Sequence, residues 1–222
     1  MTLSPARPLP FSVVAKPTGA ACNLDCQYCF FLSKELLYDQ KRQSMSEETL
    51  ETYVKNFLAA SPDGDVTMLW QGGEPTLRGL PFFERLIELC EKYRRPAQVV
   101  HHAVQTNGTL ITEQWARFFK DNDVLVGISI DGPKELHDAY RLNRGGHGTH
   151  SMVIRGWEQL RNAEVDTNIL CTVHAANEDH ALEVYRYFRD ELGAQYMQFI
   201  PIVERVPREH LHQAELGWRS GS

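Results

Sequence analysis

The chain has 222 residues, 42% hydrophobic and 23% charged, with a formal net charge of −6, the profile of one large globular domain or, less readily, two small ones. The acidic balance, with no Lys/Arg cluster against it, argues against a nucleic-acid-binding surface. No apolar run approaches the ~18 residues of a membrane span, and the opening residues Met1-Thr-Leu-Ser-Pro-Ala-Arg-Pro8 lack the apolar core of a secretory signal, so no membrane association and a cytoplasmic location are expected.

In chain order, Phe11-Ser-Val-Val-Ala15 reads as a first strand and runs into Cys22-Asn-Leu-Asp-Cys26-Gln-Tyr-Cys29. Ser44 and Glu47 form a capping-box pattern, and Leu50, Tyr53, Val54, Phe57 and Leu58 follow at helical spacing until Ser61-Pro-Asp-Gly64 ends the helix. Residues 66–70 are a short apolar strand that leads into the turn composition Gln71-Gly-Gly-Glu-Pro75. A second helix begins near Pro81 and directs Phe82, Leu86, Cys90 and Tyr93 inward. A third strand, residues 98–106, ends in Asn107-Gly108, and Trp115, Phe118 and Phe119 mark a third helix. A fourth strand, residues 124–130, ends in Asp131-Gly-Pro133. A looser segment then reaches Gly148, and a helix follows with Met152, Val153, Trp157 and Leu160 inward. A strand over 167–173, a helix burying Leu182, Tyr185, Phe188 and Leu192, and a strand over 196–202 complete the pattern. Residues 206–222 are polar, with only a weak helical pattern, and leave the sixth strand without a covering helix. A chain truncated after that strand is expected.

Five strand–helix alternations closed by a sixth strand predict an α/β fold with a parallel sheet and helices outside. Each polar punctuation, the cysteine loop, Gly72-Gly-Glu-Pro75, Thr106-Asn-Gly108 and Asp131-Gly-Pro133, falls just past the C-terminal end of a strand. In α/β barrels that end is the working face, because the βα loops converge there. A flavodoxin-like open sheet alternates in the same way, so alternation alone does not choose between barrel and open sheet.

Three soft sulfur ligands within eight residues can hold a metal or an iron–sulfur cluster. CxxxCxxC is neither the CxxC pairing of zinc ribbons nor a usual ferredoxin run, and it supplies three ligands where a cubane has four irons. A 4Fe–4S cluster here would keep one iron open to a non-protein ligand. The alternatives are three-quarters of a zinc site completed by His101 or His102, and inert buried thiols. The odd total of five cysteines suits a reducing compartment. Cys90, on a helix stripe, and Cys171, inside a strand, read as core residues. In Gln71-Gly-Gly-Glu-Pro75 two glycines let backbone approach a ligand closely, and the carboxylate beside them can pair with an ammonium group. Taken alone, that motif is also a plain Gly-Pro turn.

With Tyr28 just before the last cysteine, and Gly-Gly-Glu-Pro after the second strand, the chain resembles the radical S-adenosylmethionine (SAM) superfamily. Phe11-Ser-Val-Val-Ala-Lys-Pro-Thr-Gly-Ala-Ala-Cys22, Leu69-Trp-Gln-Gly-Gly-Glu-Pro-Thr76, Gln105-Thr-Asn-Gly-Thr-Leu110, Ile128-Ser-Ile-Asp-Gly-Pro133 and Phe199-Ile-Pro-Ile-Val-Glu204 narrow the resemblance to the anaerobic sulfatase-maturating enzymes. That resemblance covers about residues 9–206. It implies a partial (β/α)6 TIM-like barrel, with residues 1–206 as the radical SAM core domain and 207–222 a truncated tail leading to an absent C-terminal auxiliary-cluster (SPASM) domain. By the same resemblance Cys22, Cys26 and Cys29 would ligate the 4Fe–4S cluster. Gly72, Gly73 and Glu74 would meet the methionine amino group of SAM, and Tyr28 would lie on its adenine side. Gln71, Ser129 and Arg141 would contact SAM, Arg141 pairing with the carboxylate of SAM, and Ile202 would line the adenine pocket. The family's proton-accepting aspartate would lie beyond the chain's end. The implied reaction uses a 5′-deoxyadenosyl radical to oxidise a cysteine or serine of a sulfatase segment to Cα-formylglycine. The implied partners are the unfolded sulfatase polypeptide and an electron donor such as flavodoxin or ferredoxin. Another peptide-modifying enzyme of the superfamily, for example one forming thioether crosslinks, and a non-catalytic metal-binding module are the competing readings.

Overall fold

β1 (Val14–Ala15), β2 (Gly64–Trp70), β3 (Gln98–Thr106), β4 (Leu125–Ser129), β5 (Thr167–Val173) and β6 (Met197–Pro201) pair in chain order, every pair parallel. These elements come from a computed structural model that describes residues 11–31 and 44–202. A strictly sequential order has no reversal point, which a flavodoxin-like sheet requires, and is instead the order of a βα barrel. β1 and β6 stand at opposite ends of that order, so the fold is the expected open, partial (β/α)6 barrel. The domain boundary after residue 206 lies outside the described residues.

Strand pleating separates the two faces. Val66, Met68, Trp70, Val104, Val126, Ile128, Ile169 and Cys171 are buried against the helices, while Thr67, His101, Gln105 and Ser129 belong to the alternate, concave face. α1 (Glu47–Ala60) and α2 (Leu80–Tyr93) pack together over β2 and β3. Trp70 is their centre, fully buried, with the rings of Tyr53, Phe82 and Phe83 at 5.7, 6.1 and 6.2 Å, all edge-on. α3 (Glu113–Asp121) buries Trp115, Ala116 and Phe119, and α5 (His150–Asn162) buries Val153, Trp157 and Leu160. Cys90 and Cys171 are core residues, as expected.

Three details differ from the sequence reading. The cap of α1 is Ser46, not Ser44: its Oγ accepts from Thr49 N at 3.1 Å, and Glu47 and Glu48 sit in the first turn where the helix dipole favours them. The looser segment before Gly148 contains a short helix, α4 (Lys134–Asp138), which starts after Pro133 and is too brief to show a period. After β5, α6 (Ala181–Arg186) continues into a π turn over Tyr187–Glu191. Its buried stripe is Val184, Tyr187 and Phe188, whereas Leu182 and Tyr185 are 67% and 41% exposed. The expected stripe is thus out of phase at Leu182 and Tyr185, while Phe188 and Leu192 are buried as expected. No helix among the described residues is long and apolar enough to cross a membrane.

Candidate functional site

The cysteine loop leaves the C-terminal end of β1. Cys26 is buried, and Cys22 and Cys29 are half-buried. A turn closes the motif, with Cys29 N donating to Cys26 O at 2.9 Å. The loop also runs alongside the segment after α4. Asp25 N donates to Leu142 O at 2.8 Å, Gln27 N to Tyr140 O at 3.0 Å, Leu24 bridges Asn143 antiparallel, and Arg144 Nε donates to Cys22 O at 2.9 Å. On its other side Asn23 Nδ2 donates to Thr109 Oγ1, and Asn107 Nδ2 donates to Asn23 Oδ1, both at 2.9 Å. The Asn-Gly turn after β3 is therefore a buttress for the cysteine loop. Cys22 Sγ accepts from Leu24 N at 3.4 Å and from Asn107 Nδ2 at 3.7 Å, donors of the kind that tune a cluster sulfur. Burial pushes the Cys22 thiol up to about 12 and Cys26 up to about 11, Arg141 partly opposing it at Cys26. Metal binding at these thiols would therefore release protons.

The turn after β2 presses against the start of the same loop. Glu74 N donates to Ala21 O at 2.8 Å, and Thr18 Oγ1 donates to Gly72 O at 3.3 Å. Gly73 has φ +45°, and a Cβ there would fall 2.1 Å from Ala21 O, so the close approach exists only because residue 73 has no side chain. The Glu74 carboxylate does not face outward. It is fully buried, Oε1 accepting from Thr76 N, Thr76 Oγ1 and Thr106 Oγ1 at 3.0, 2.6 and 2.7 Å, and Oε2 from Asn107 N at 2.7 Å. Burial raises its pKa, against the pull of those four donors. Glu74 ties the loops after β2 and β3 into one unit, which leaves the turn's backbone as the part that can approach a ligand.

Asp131, one residue beyond the end of the fourth predicted strand, is a hub, although in sequence Asp131-Gly-Pro133 marks only a turn. It is fully buried. Arg141 grips it bidentately, Nε to Oδ2 at 2.8 Å and Nη2 to Oδ1 at 3.1 Å. Thr172 N donates to Oδ1 at 2.9 Å, the Tyr28 hydroxyl donates to Oδ2, and His174 Nε2 lies 3.5 Å away. Burial alone would raise its pKa, but the Arg141 charge and these hydrogen bonds hold the carboxyl well below the usual carboxylate range. The Tyr28 ring stacks on His174 at 5.5 Å, with the Arg141 guanidinium 5.5 Å from its centroid and Tyr140 edge-on to His174 at 4.6 Å. Behind the hub, Asp131 N donates to His137 Nδ1 at 3.3 Å, so His137 is neutral and carries its proton on Nε2, which faces Thr149 Oγ1 at 3.2 Å. Thr149 Oγ1 in turn donates to Arg141 O at 2.8 Å.

The other expected residues surround the mouth. Gln71 directly follows β2, with its N–H on Ala15 O at 3.0 Å. Ser129 ends β4, and its Oγ accepts from Gln105 Nε2 at 3.1 Å. Ile202 follows β6, held by its N–H to Val173 O at 3.1 Å. The histidines considered for zinc lie elsewhere. The register pairs His101 with Thr67 and His102 with Met68, whereas Ala15, at the end of β1, is level with Trp70. His101 pairs with Asp65 at 2.7 Å and His102 is buried on the helix-facing side. Among the described residues, no three His, Cys, Asp or Glu side chains converge on one metal ion. A single zinc held by each sulfur at ~2.3 Å requires such convergence; a cluster, with one thiolate per iron, does not. Three thiols on one loop, the first of them accepting from two N–H donors, fit a 4Fe–4S cluster. A broad cleft near Trp157, Arg161 and Tyr196 lies at the opposite end of the barrel.

The description Radical SAM superfamily matches residues 17–188. The serine-type anaerobic sulfatase-maturating enzyme of Bacteroides thetaiotaomicron is 40% identical over 198 residues, 89% of this chain and 47% of that protein. The cysteine-type anaerobic sulfatase-maturating enzyme of Clostridium perfringens is 41% identical over 201 residues, 90% of this chain and 54% of that protein. A solved structure, native anSMEcpe with bound AdoMet and Cp18Cys peptide, superposes with a TM-score of 0.83 at 37% identity, covering 95% of this chain and 55% of that one. The chain thus spans about half the length of the relatives it matches. The matched region contains the three-thiol loop, the Gly-Gly-Glu turn packed against it and the Asp131 hub, and the cofactors of this family are a 4Fe–4S cluster and SAM; the chain belongs to the radical SAM superfamily.

Proposed function

We propose that the chain is the SAM-cleaving portion of an anaerobic sulfatase-maturating enzyme, which oxidises a cysteine or serine of a sulfatase segment to Cα-formylglycine. The observation that carries this reading is the contact between the three-thiol loop and the Gly-Gly-Glu turn, made through Gly73 and Ala21. When bound, the cluster and SAM supply reductive cleavage to a 5′-deoxyadenosyl radical able to take a hydrogen atom from an unactivated carbon.

The chain's part is to bind, orient and exclude water. Cys22, Cys26 and Cys29 would hold the cluster, shedding their protons on ligation. The backbone of Gly72, Gly73 and Glu74 would receive the methionine amino group, while the Glu74 carboxylate keeps that backbone rigid. Gln71 and Ser129 lie at the mouth, where they would fix the nucleoside and methionine moieties. Arg141 would steer the SAM carboxylate, and Tyr28 and Ile202 would flank the adenine. The core domain is assigned to residues 1–206 and the following residues to a segment leading toward a further domain. The partners in this reading are the sulfatase polypeptide and a one-electron donor such as flavodoxin or ferredoxin. All five cysteines are free, which supports a reducing, cytoplasmic setting.

Anaerobic reconstitution tests the reading. The expected result is one 4Fe–4S cluster per chain, a spectrum that changes on adding SAM, and an aldehyde product on a sulfatase-derived peptide with the full-length protein. Stoichiometric zinc with no cluster would overturn it. A thioether product in place of the aldehyde would assign the chain to another peptide-modifying member.

A further inference from the structure

A carboxylate taken wholly out of water is costly unless it is charge-paired and hydrogen-bonded. At Asp131 the compensating groups come from three separate segments. Tyr28 belongs to the cysteine loop, Arg141 to the segment that runs alongside that loop, and Thr172 to β5. Asp131 is therefore comfortable only when loop and neighbouring segment are both seated. The two also meet through Asp25 N to Leu142 O at 2.8 Å and Gln27 N to Tyr140 O at 3.0 Å. These backbone bonds lie between Cys22 and Cys29, so seating them sets the path of the whole motif.

We propose that Asp131 is the positioning residue of the cysteine loop, clasping Tyr28 and Arg141 together so that Cys22, Cys26 and Cys29 are held in their working arrangement before any metal is bound. The proposal rests on the cluster reading for what the loop is used for, but the clasp itself is a property of the metal-free chain. Hydrogen bonds that end on a charged acceptor are stronger than neutral ones, and here one acceptor serves two segments at once. The clasp also fixes the plane of the Arg141 guanidinium, which stands over the Tyr28 ring.

The test compares Tyr28→Phe and Asp131→Asn with the wild type in two measurements. In the metal-free protein, residue-resolved hydrogen exchange should be faster by about tenfold or more at the amides of Asp25 and Gln27, the scale of one lost hydrogen bond to a charged group. The amides of Met68 and Val104, in the β2–β3 core, should keep their wild-type rates. In reconstituted protein matched for iron content, the SAM concentration at the midpoint of the spectral change should rise about tenfold in Asp131→Asn, where Arg141 loses its charged partner. Wild-type exchange at Asp25 and Gln27, equal acceleration at Met68 and Val104, or a wild-type SAM midpoint in Asp131→Asn each overturns the proposal. Should Asp131→Asn fail to fold, Tyr28→Phe decides alone, since it removes one hydroxyl and keeps the ring. A wild-type chain that takes up no iron overturns the proposed function, and the exchange result still decides the clasp.

Discussion

Replacing Gly73 by alanine tests the contact on which the site is built. Residue 73 has φ +45°, and the new Cβ would stand 2.1 Å from Ala21 O and 2.8 Å from Ala21 C. A left-handed backbone costs an alanine roughly 1 kcal/mol. The clash adds to that, because its partner is backbone rather than the yielding end of a side chain, and overpacking of this kind costs about 1–3 kcal/mol. The sum is about 2–4 kcal/mol, together with loss of the Glu74 N to Ala21 O bond. Gly64→Ala is the internal control: φ is +97° there, but nothing lies within 4 Å of the added Cβ, so it should cost only the backbone part, about 1 kcal/mol. The assay is urea unfolding followed by circular dichroism. With an m-value of ~2–3 kcal/mol/M, Gly73→Ala should lower the midpoint by about 1 M and Gly64→Ala by less than half of that. Iron uptake should fall in Gly73→Ala and not in Gly64→Ala. Equal midpoint shifts in the two variants would refute the steric argument.

Cys26→Ala should abolish cluster assembly, whereas Cys171→Ala, which trims a buried sulfur at a cost of roughly 1 kcal/mol, should leave iron content close to wild type; iron and sulfide analysis separates the two. Glu74→Gln should lower stability by about 2–4 kcal/mol, because the amide NH2 would confront donors now satisfied by Oε1 and Oε2, and thermal unfolding reads it directly. Burial pushes His102 down to about 4 and His137 down to about 3. Both folded values lie below the unfolded one of about 6.5, so their contribution is present above pH ~6.5 and is lost as pH falls toward those values. Unfolding free energy should therefore decline from pH 7 to pH 4, and His102→Phe should flatten that slope; an unchanged slope would contradict a neutral, buried His102.

Strand and helix positions were readable because each repeats a local period that the chain cannot hide. The capping of α1 was misread only because Ser44 and Ser46 both precede a suitable partner, and Ser46 is the one whose Oγ reaches a backbone N–H. The helix after β5 departs from the expected phase only in its first turns, where Leu182 and Tyr185 compete with Val184 and Tyr187 for the inward side; Phe188 and Leu192 are buried as expected.

The site divides along a similar line. Residues that would meet an external group must be of one chemical type at short spacing, as with three thiols in eight positions or two glycines beside a carboxylate, and such patterns stand out in a sequence. Residues that hold those in place answer only to local geometry. Asp131 draws on Tyr28, Arg141, Thr172 and His174, which are scattered from the first to the fifth βα unit and share no chemical signature. Asn107 reads as half of an Asn-Gly turn, yet its side-chain amide bonds Asn23 and its backbone N–H bonds Glu74. Any donor or acceptor of the right reach could do such work, so the sequence carries no mark of it until the sheet brings the loop ends together. The Glu74 carboxylate shows the limit most clearly. Its residue type suggested a charge offered to a ligand, while burial and four internal donors make it a brace between two loops. In this fold the part of Gly-Gly-Glu-Pro that can reach a ligand is its backbone, and the side chain that drew attention to the motif is what keeps that backbone still.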